Sequence, residues 1–297
     1  MGRRLLVELR GVGGPPVVFL PGAGTVGIDY WSAFEGASSL STSVLYDRAG
    51  TGWSDDVQLP RTADAVTDEL RALLDLLERA GGFSRPALLV GHSLGGGYAQ
   101  HFARRFPGRV CALLLLDPAH QDYPKYEPPA IAAASAAAEE AARASAASGE
   151  APAEWVPPAE VLDAFASLFR EKFAGYPSDI RDAAIDYHTK RWRTGLLEAS
   201  NARALYAQFT EAPPLPDVPL LVLTARALDA GARFFMPDAL QQEVIDGKAR
   251  LNAAIASAAP RGVERVLPDA SHSFMAAERA DAVVAAIRDL IAQVAMP

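Results

Sequence analysis

Five short runs in this chain are apolar with almost no polar interruption, and each ends in glycine, proline or a polar turn. They are "PPVVFLPG" (15–22), "SVLYDRAG" (43–50), "PALLVGHS" (86–93), "VCALLLLDP" (110–118) and "VPLLVLTA" (218–225). None shows the apolar–polar alternation of a strand with one wet face, so each reads as a strand covered on both sides. Between them lie stretches of helical period. "RTADAVTDELRALLDLLERAGG" sets Val66, Leu70, Leu73, Leu74 and Leu77 on one face, with Thr62 as N-cap and Gly81-Gly82 as the stop. "GGGYAQHFARRFPGR" is a second helix, closed by Pro107-Gly108. "VERVLPDASH" (263–272) reads as a last strand and its loop, followed by an amphipathic helix, "ERADAVVAAIRDLIAQV". The order at the start is strand, strand, helix. The fold class expected is α/β, a mostly parallel sheet flanked by helices.

The regular pattern breaks from about 121 to 216. "AIAAASAAAEEAARASAAS" is alanine-rich, and proline pairs follow at Pro157-Pro158 and Pro213-Pro214. Aromatic residues are scattered through the rest: Trp155, Phe165, Phe169, Phe173, Tyr187, Trp192, Tyr206 and Phe209. High helix propensity without β-branched runs predicts a helical insertion. The expected division is a core domain of 1–120 and 217–297 and an inserted helical cap of 121–216. The cap aromatics serve either as the insertion's own core or as an apolar pocket.

Composition removes several classes of function. At 297 residues with 50% hydrophobic content the chain is long enough to bury one sizeable core. A formal net charge of −8 repels polyanions, so nucleic acid is not an expected partner. Cys111 is the only cysteine, which leaves no internal disulfide and no cysteine metal cluster. The N-terminal "MGRRLLVELRGVGG" lacks a secretory apolar core, and no run approaches the roughly 18 apolar residues of a membrane span. A soluble cytoplasmic protein is expected, its oligomeric state left open.

Chemistry concentrates in "GHSLG" (91–95), a G-x-S-x-G string lying between a predicted strand and a predicted helix. A strand that reverses abruptly into a helix strains its turn residue and needs small neighbours, leaving the Ser93 hydroxyl exposed above the sheet. The amide of Leu94 then points at a developing oxyanion, and the amide of Ala23, in "FLPGAGTVG", is the candidate second donor. A serine needs a base. Of the five histidines, His101 falls in the helix after Ser93, His188 in the insertion and His120 just past the fourth strand. His272, in the loop after the last strand, sits at the same sheet edge as Ser93. His92 is read as structural. For the orienting acid, Asp117 at the tip of the fourth strand is favoured over Asp229, which follows the fifth, with Asp122 a distant third.

Three segments, "YDRAGTGWSD" (46–55), "LVGHSLGGGYAQHFARRFP" (89–107) and "LLLLDPAH" (113–120), resemble those of the α/β-hydrolase superfamily, in particular bacterial esterases and lipase-like hydrolases with a helical cap. The resemblance implies a cofactor-free, metal-free serine hydrolase acting on a small-molecule substrate. The substrate is expected to carry an apolar group, and the bond cleaved to be a carboxylic ester or related acyl bond, through an acyl-serine. Asp47 and Arg48 are expected to be structural. Two departures stand out: the oxyanion loop has Pro21-Gly22 in place of His-Gly, and "LTARALDAG" (223–231) lacks the usual glycine-x-x-aspartate spacing. Lactone or carbon–carbon bond hydrolysis and acyl transfer fit the same residues. A non-catalytic ligand-binding protein is the alternative of another class. Halide release and epoxide opening fit less well, since those branches carry aspartate where Ser93 stands.

Overall fold

The computed structural model describes residues 2–83, 86–148 and 156–295, so Trp155 lies outside the described residues. Among the described residues seven strands form one sheet: β1 (Val7–Arg10), β2 (Val17–Leu20), β3 (Ser43–Tyr46), β4 (Ala87–His92), β5 (Val110–Leu116), β6 (Leu220–Ala225) and β7 (Gly262–Leu267). Their order is β1-β3-β2-β4-β5-β6-β7. All neighbours pair parallel except β1 with β3. The five apolar runs all become strands, and their alternate residues feed two separate cores. Val17, Phe19, Leu88, Val90, Leu114 and Leu116 pack on one face, and Val18, Leu20, Leu89, Leu113 and Leu115 on the other. A strand buried on both faces has no polar side to show, which is why the sequence lacks alternation.

Helices cover both faces. On one side lie α1 (Trp31–Ser38) and α11 (Ala280–Ala295), which supply Trp31, Phe34, Val283, Ile287 and Leu290 to the first core. On the other lie α2 (Ala63–Arg79), α3 (Leu94–Arg105) and α9 (Asp238–Ala258), which supply Leu70, Phe102, Leu251 and Ile255 to the second. Thr62 caps α2 by accepting from the Ala65 amide at 3.1 Å. The opening order strand, strand, helix is corrected in two places. β1 is an edge strand whose half-exposed "VELR" carries no apolar run. α1 joins β2 to β3, as a parallel pair requires, but its small and polar residues in "WSAFEGAS" hide the helical period.

After β5 the chain leaves the sheet for α4 (Pro129–Ser148), α5 (Ala159–Lys172), α6 (Ser178–Lys190), α7 (Arg193–Ala199) and α8 (Ala202–Glu211) before returning in β6. These helices do not share one environment. Leu205 and Phe209 of α8 are buried in the second core, with Phe209 edge-on to Tyr98 of α3 at 6.3 Å. Phe169 and Phe173 of the α5 region meet Phe274 from the loop before α10 (Met275–Glu278). Among the described residues no helix is long and apolar enough to cross a membrane.

Candidate active site

Ser93 stands between β4 and α3 with φ 49° and ψ −119°, a region that L-residues enter at a cost of about 1–3 kcal/mol. Two glycines make the turn sterically possible. A Cβ on Gly91 would lie 2.6 Å from the Gly95 carbonyl oxygen, and one on Gly95 would lie 2.1 Å from the Leu20 carbonyl oxygen. The hydroxyl of Ser93 is 3.0 Å from His272 Nε2, and His272 Nδ1 is 2.5 Å from Asp117 Oδ2. A carboxylate only accepts, so Nδ1 carries the proton and Nε2 presents a lone pair to the serine. Three residues separated by up to 179 positions thus form one hydrogen-bonded line.

Asp117 is buried to 2% exposure, also at positive φ (45°), and two residues of α9 hold it there. Lys248 Nζ lies 3.0 Å from Oδ2, and the Asn252 side-chain amide donates to Oδ1 at 2.7 Å. Burial alone would push this carboxyl up. The Lys248 charge and the His272 hydrogen bond outweigh it and hold the group below the usual carboxylate range. Lys248 and Asn252 went unassigned in the sequence, although a lysine and an asparagine four apart beside Leu251 and Ile255, on a buried helix face, are a readable signal. Asp229 takes a different task. Its Oδ2 accepts from the Ser273 amide at 2.7 Å and its Oδ1 from Gly231 and Ala232, so it braces the histidine loop without bonding the imidazole. Asp122 pairs with Lys125 and faces His120.

The loop after β2 lies against the serine: a Cβ on Gly22 would be 3.3 Å from Ser93 Cβ. Its shape is set by Arg48, which donates to the carbonyls of Pro21 at 2.5 Å and Gly22 at 2.8 Å. Glu198 of α7 closes the arrangement. It accepts from Arg48 Nη2 at 2.9 Å and from the Gly24 amide at 2.8 Å, tying α7 to the loop that carries Ala23. Burial works against the Arg48 charge, and the adjacent Glu198 carboxylate more than restores it. Asp47 accepts from the amides of Gly27 and Trp53, a bracing role for the neighbouring turn. With Arg48 1% and Glu198 5% exposed, removing one partner strands the other's charge. Glu198→Ala should therefore cost about 3–5 kcal/mol of stability in urea unfolding. Glu198→Gln, which keeps one accepting oxygen and the side-chain shape in place, should cost less.

His92 does not face the reacting atoms. Its Nε2 lies 2.9 Å from the His272 carbonyl and must donate, so Nδ1 accepts from the Tyr30 hydroxyl at 2.7 Å. Tyr30 in turn accepts from the Gly22 amide at 3.0 Å. This relay links the loop of Ala23 to the loop of His272. Burial pulls the His92 imidazole down to about 3, so it stays neutral and keeps this tautomer at neutral pH.

Two cavities meet at Ala232 and Ser273. One, of about 330 Å³, contains Ser93, His272, Asp117 and Lys248. The other, of about 370 Å³, contains Ala23 and is walled by Phe165, Phe169, Phe173 and Trp192. Those four of the scattered aromatics line this cavity and Tyr206 lines the one holding Ser93, whereas Phe209 packs on the core and Tyr187 lies against Trp53. Among the described residues the amides of Ala23 and Leu94 have no hydrogen-bond acceptor.

With this geometry in view, similarity to known proteins becomes informative. A segment is 48% identical over 60 residues to lipase LipV of Mycobacterium tuberculosis, covering 20% of this chain and 21% of that protein. Another is 41% identical over 113 residues to the pimeloyl-[acyl-carrier protein] methyl ester esterase of Chromobacterium violaceum, covering 38% and 40%. These matches span well under half the length of either relative. A solved thermophilic esterase from Thermogutta terrifontis shares the fold with a TM-score of 0.64 at 22% identity, over 98% of this chain and 94% of its own. The model of the alpha/beta hydrolase family matches residues 17–286. The chain belongs to the alpha/beta hydrolase family.

Proposed function

We propose that this protein is a serine hydrolase that cleaves a carboxylic ester or a related acyl bond through an acyl-serine intermediate. The observation that carries this reading is the line Ser93–His272–Asp117, with distances of 3.0 and 2.5 Å. In the first step the Ser93 proton passes to His272 Nε2 as Oγ bonds the acyl carbon, and the carbonyl oxygen takes the negative charge. The amides of Ala23 and Leu94 receive that oxyanion, Leu94 from the first turn of α3. Collapse breaks the bond to the leaving alcohol, which takes the proton from His272. Water then repeats the sequence and frees the acid. Asp117 fixes the tautomer and stabilises the imidazolium. Residues 121–216 act as a cap over a core of 1–120 and 217–297. The phenylalanine-walled cavity suits an apolar group on the substrate, and the names of the lipase and esterase relatives favour an ester bond.

A fluorophosphonate probe tests the reading. The wild-type chain should take up one label, which peptide mass spectrometry should place on Ser93, and should hydrolyse short p-nitrophenyl esters. Labelling at another residue overturns the assignment. Absence of both labelling and ester turnover favours a ligand-binding protein that keeps the fold without the chemistry.

A further inference from the structure

A second carboxylate-held imidazole lies in the larger cavity, apart from the residues assigned to the reaction. His188 of α6 places Nε2 at 2.9 and 3.0 Å from the two oxygens of Asp29, which sits in the turn after the Ala23 loop. Asp29 is itself anchored by the Val26 amide at 2.9 Å. The ring lies flat on Phe169, with centroids 4.3 Å apart and planes 2° from parallel, so it has little freedom to tilt. Because the carboxylate only accepts, Nε2 bears the hydrogen, and in the neutral imidazole Nδ1 is then the acceptor. Nδ1 bonds nothing among the described residues, yet it is not a sealed polar atom, and His188 lines the cavity.

A tie between α6 and the core needs only Nε2. It gives no reason for a fixed acceptor in a cavity walled by phenylalanines, where an acceptor left unmet once water is displaced is unfavourable. We propose that His188, held by Asp29, is a specificity-determining residue that accepts a hydrogen bond from a hydroxyl or amide N–H on the substrate's apolar half. The substrate class is therefore an ester or lactone whose chain carries one such donor. This rests on the reading that Ser93 cleaves acyl bonds in the paired cavities. Arg191, three residues on and lining the same cavity, makes a carboxylate the competing ligand chemistry.

Four ethyl esters separate the possibilities by pH-stat: hexanoate, 3-hydroxyhexanoate, N-butanoylglycinate and the monoester of adipic acid. Wild type should favour the hydroxy or the amide ester over hexanoate in kcat/KM. His188→Phe keeps the stack on Phe169 and should shrink that preference about tenfold. Asp29→Asn frees the ring to take either tautomer and should also narrow it, with the fold of both variants checked by thermal melting. A purely structural pair would lower all four esters by one factor and leave the ratios unchanged, which overturns the proposal, as does a selective loss confined to the adipate monoester. If His188→Phe does not fold, an unchanged preference in Asp29→Asn overturns it alone. Hydrolysis of hexanoate by wild type without any preference sinks this inference and leaves the Ser93 reading standing. Failure on all four esters removes both.

Discussion

Ser93→Ala should reduce kcat on any ester the wild-type chain turns over by a factor approaching about a million, with the melting temperature nearly unchanged. The size of the loss follows from the line of hydrogen bonds. Without Oγ, His272 has no proton to take and no covalent intermediate forms, so only binding and the two amides remain to assist water. The backbone conformation at φ 49° is imposed by the β4–α3 reversal, and alanine meets the same strain as serine there. The side chain lost is small, and the hydrogen bond given up is the one to a partly exposed imidazole at 3.0 Å. A steady-state assay with p-nitrophenyl acetate, beside a thermal melt, checks both halves. A loss of only tenfold in a folded variant would mean that Ser93 is a bystander and that another group carries the reaction.

How much of this could be read from the sequence differs from residue to residue. The five apolar runs were legible because burial on both faces leaves a local, uninterrupted signature. β1 is not legible because an edge strand with half-buried Glu8 and exposed Leu9 needs no such run, and α1 because Gly36 lets it approach Val284 of α11 closely, a reason that exists only in three dimensions. Ser93 and His272 stand out through their positions at the ends of strands. Tyr30 and Glu198 do not, since each acts through a contact more than 50 residues distant in the chain. The Pro21-Gly22 departure from the expected oxyanion loop also acquires an account. The carbonyls of both residues are held by Arg48, and Arg48 is neutralised by Glu198 of α7, which no local pattern announces.

Asp117→Asn should lower kcat by up to about 10⁴, while Asp229→Asn should cost far less. An asparagine at 117 can turn its amide N–H toward His272 Nδ1, which moves the imidazole proton to Nε2, where it faces the Ser93 hydroxyl and can no longer accept. The change also removes the negative charge 3.0 Å from Lys248 Nζ, so an uncompensated ammonium is left beside the imidazole that must become positive in the transition state. Both effects act in the same direction. At 229 the asparagine side-chain oxygen can still accept from the Ser273 amide at 2.7 Å, the amides of Gly231 and Ala232 lose their acceptor to the new NH2, and no bond to the imidazole is lost because none is made. Asp229 nevertheless lies close enough to His272 for its carboxyl to be held low, with burial working against that and the Ser273 hydrogen bond and the imidazole outweighing it. Some loss of rate through the electrostatics of the loop is therefore expected. Both variants measured with one ester at one pH decide the matter. A loss of about 10⁴ at Asp229 with near-normal turnover at Asp117 would transfer the role of the acid from the tip of β5 to the loop after β6, and would require the histidine loop to swing toward the brace when substrate binds.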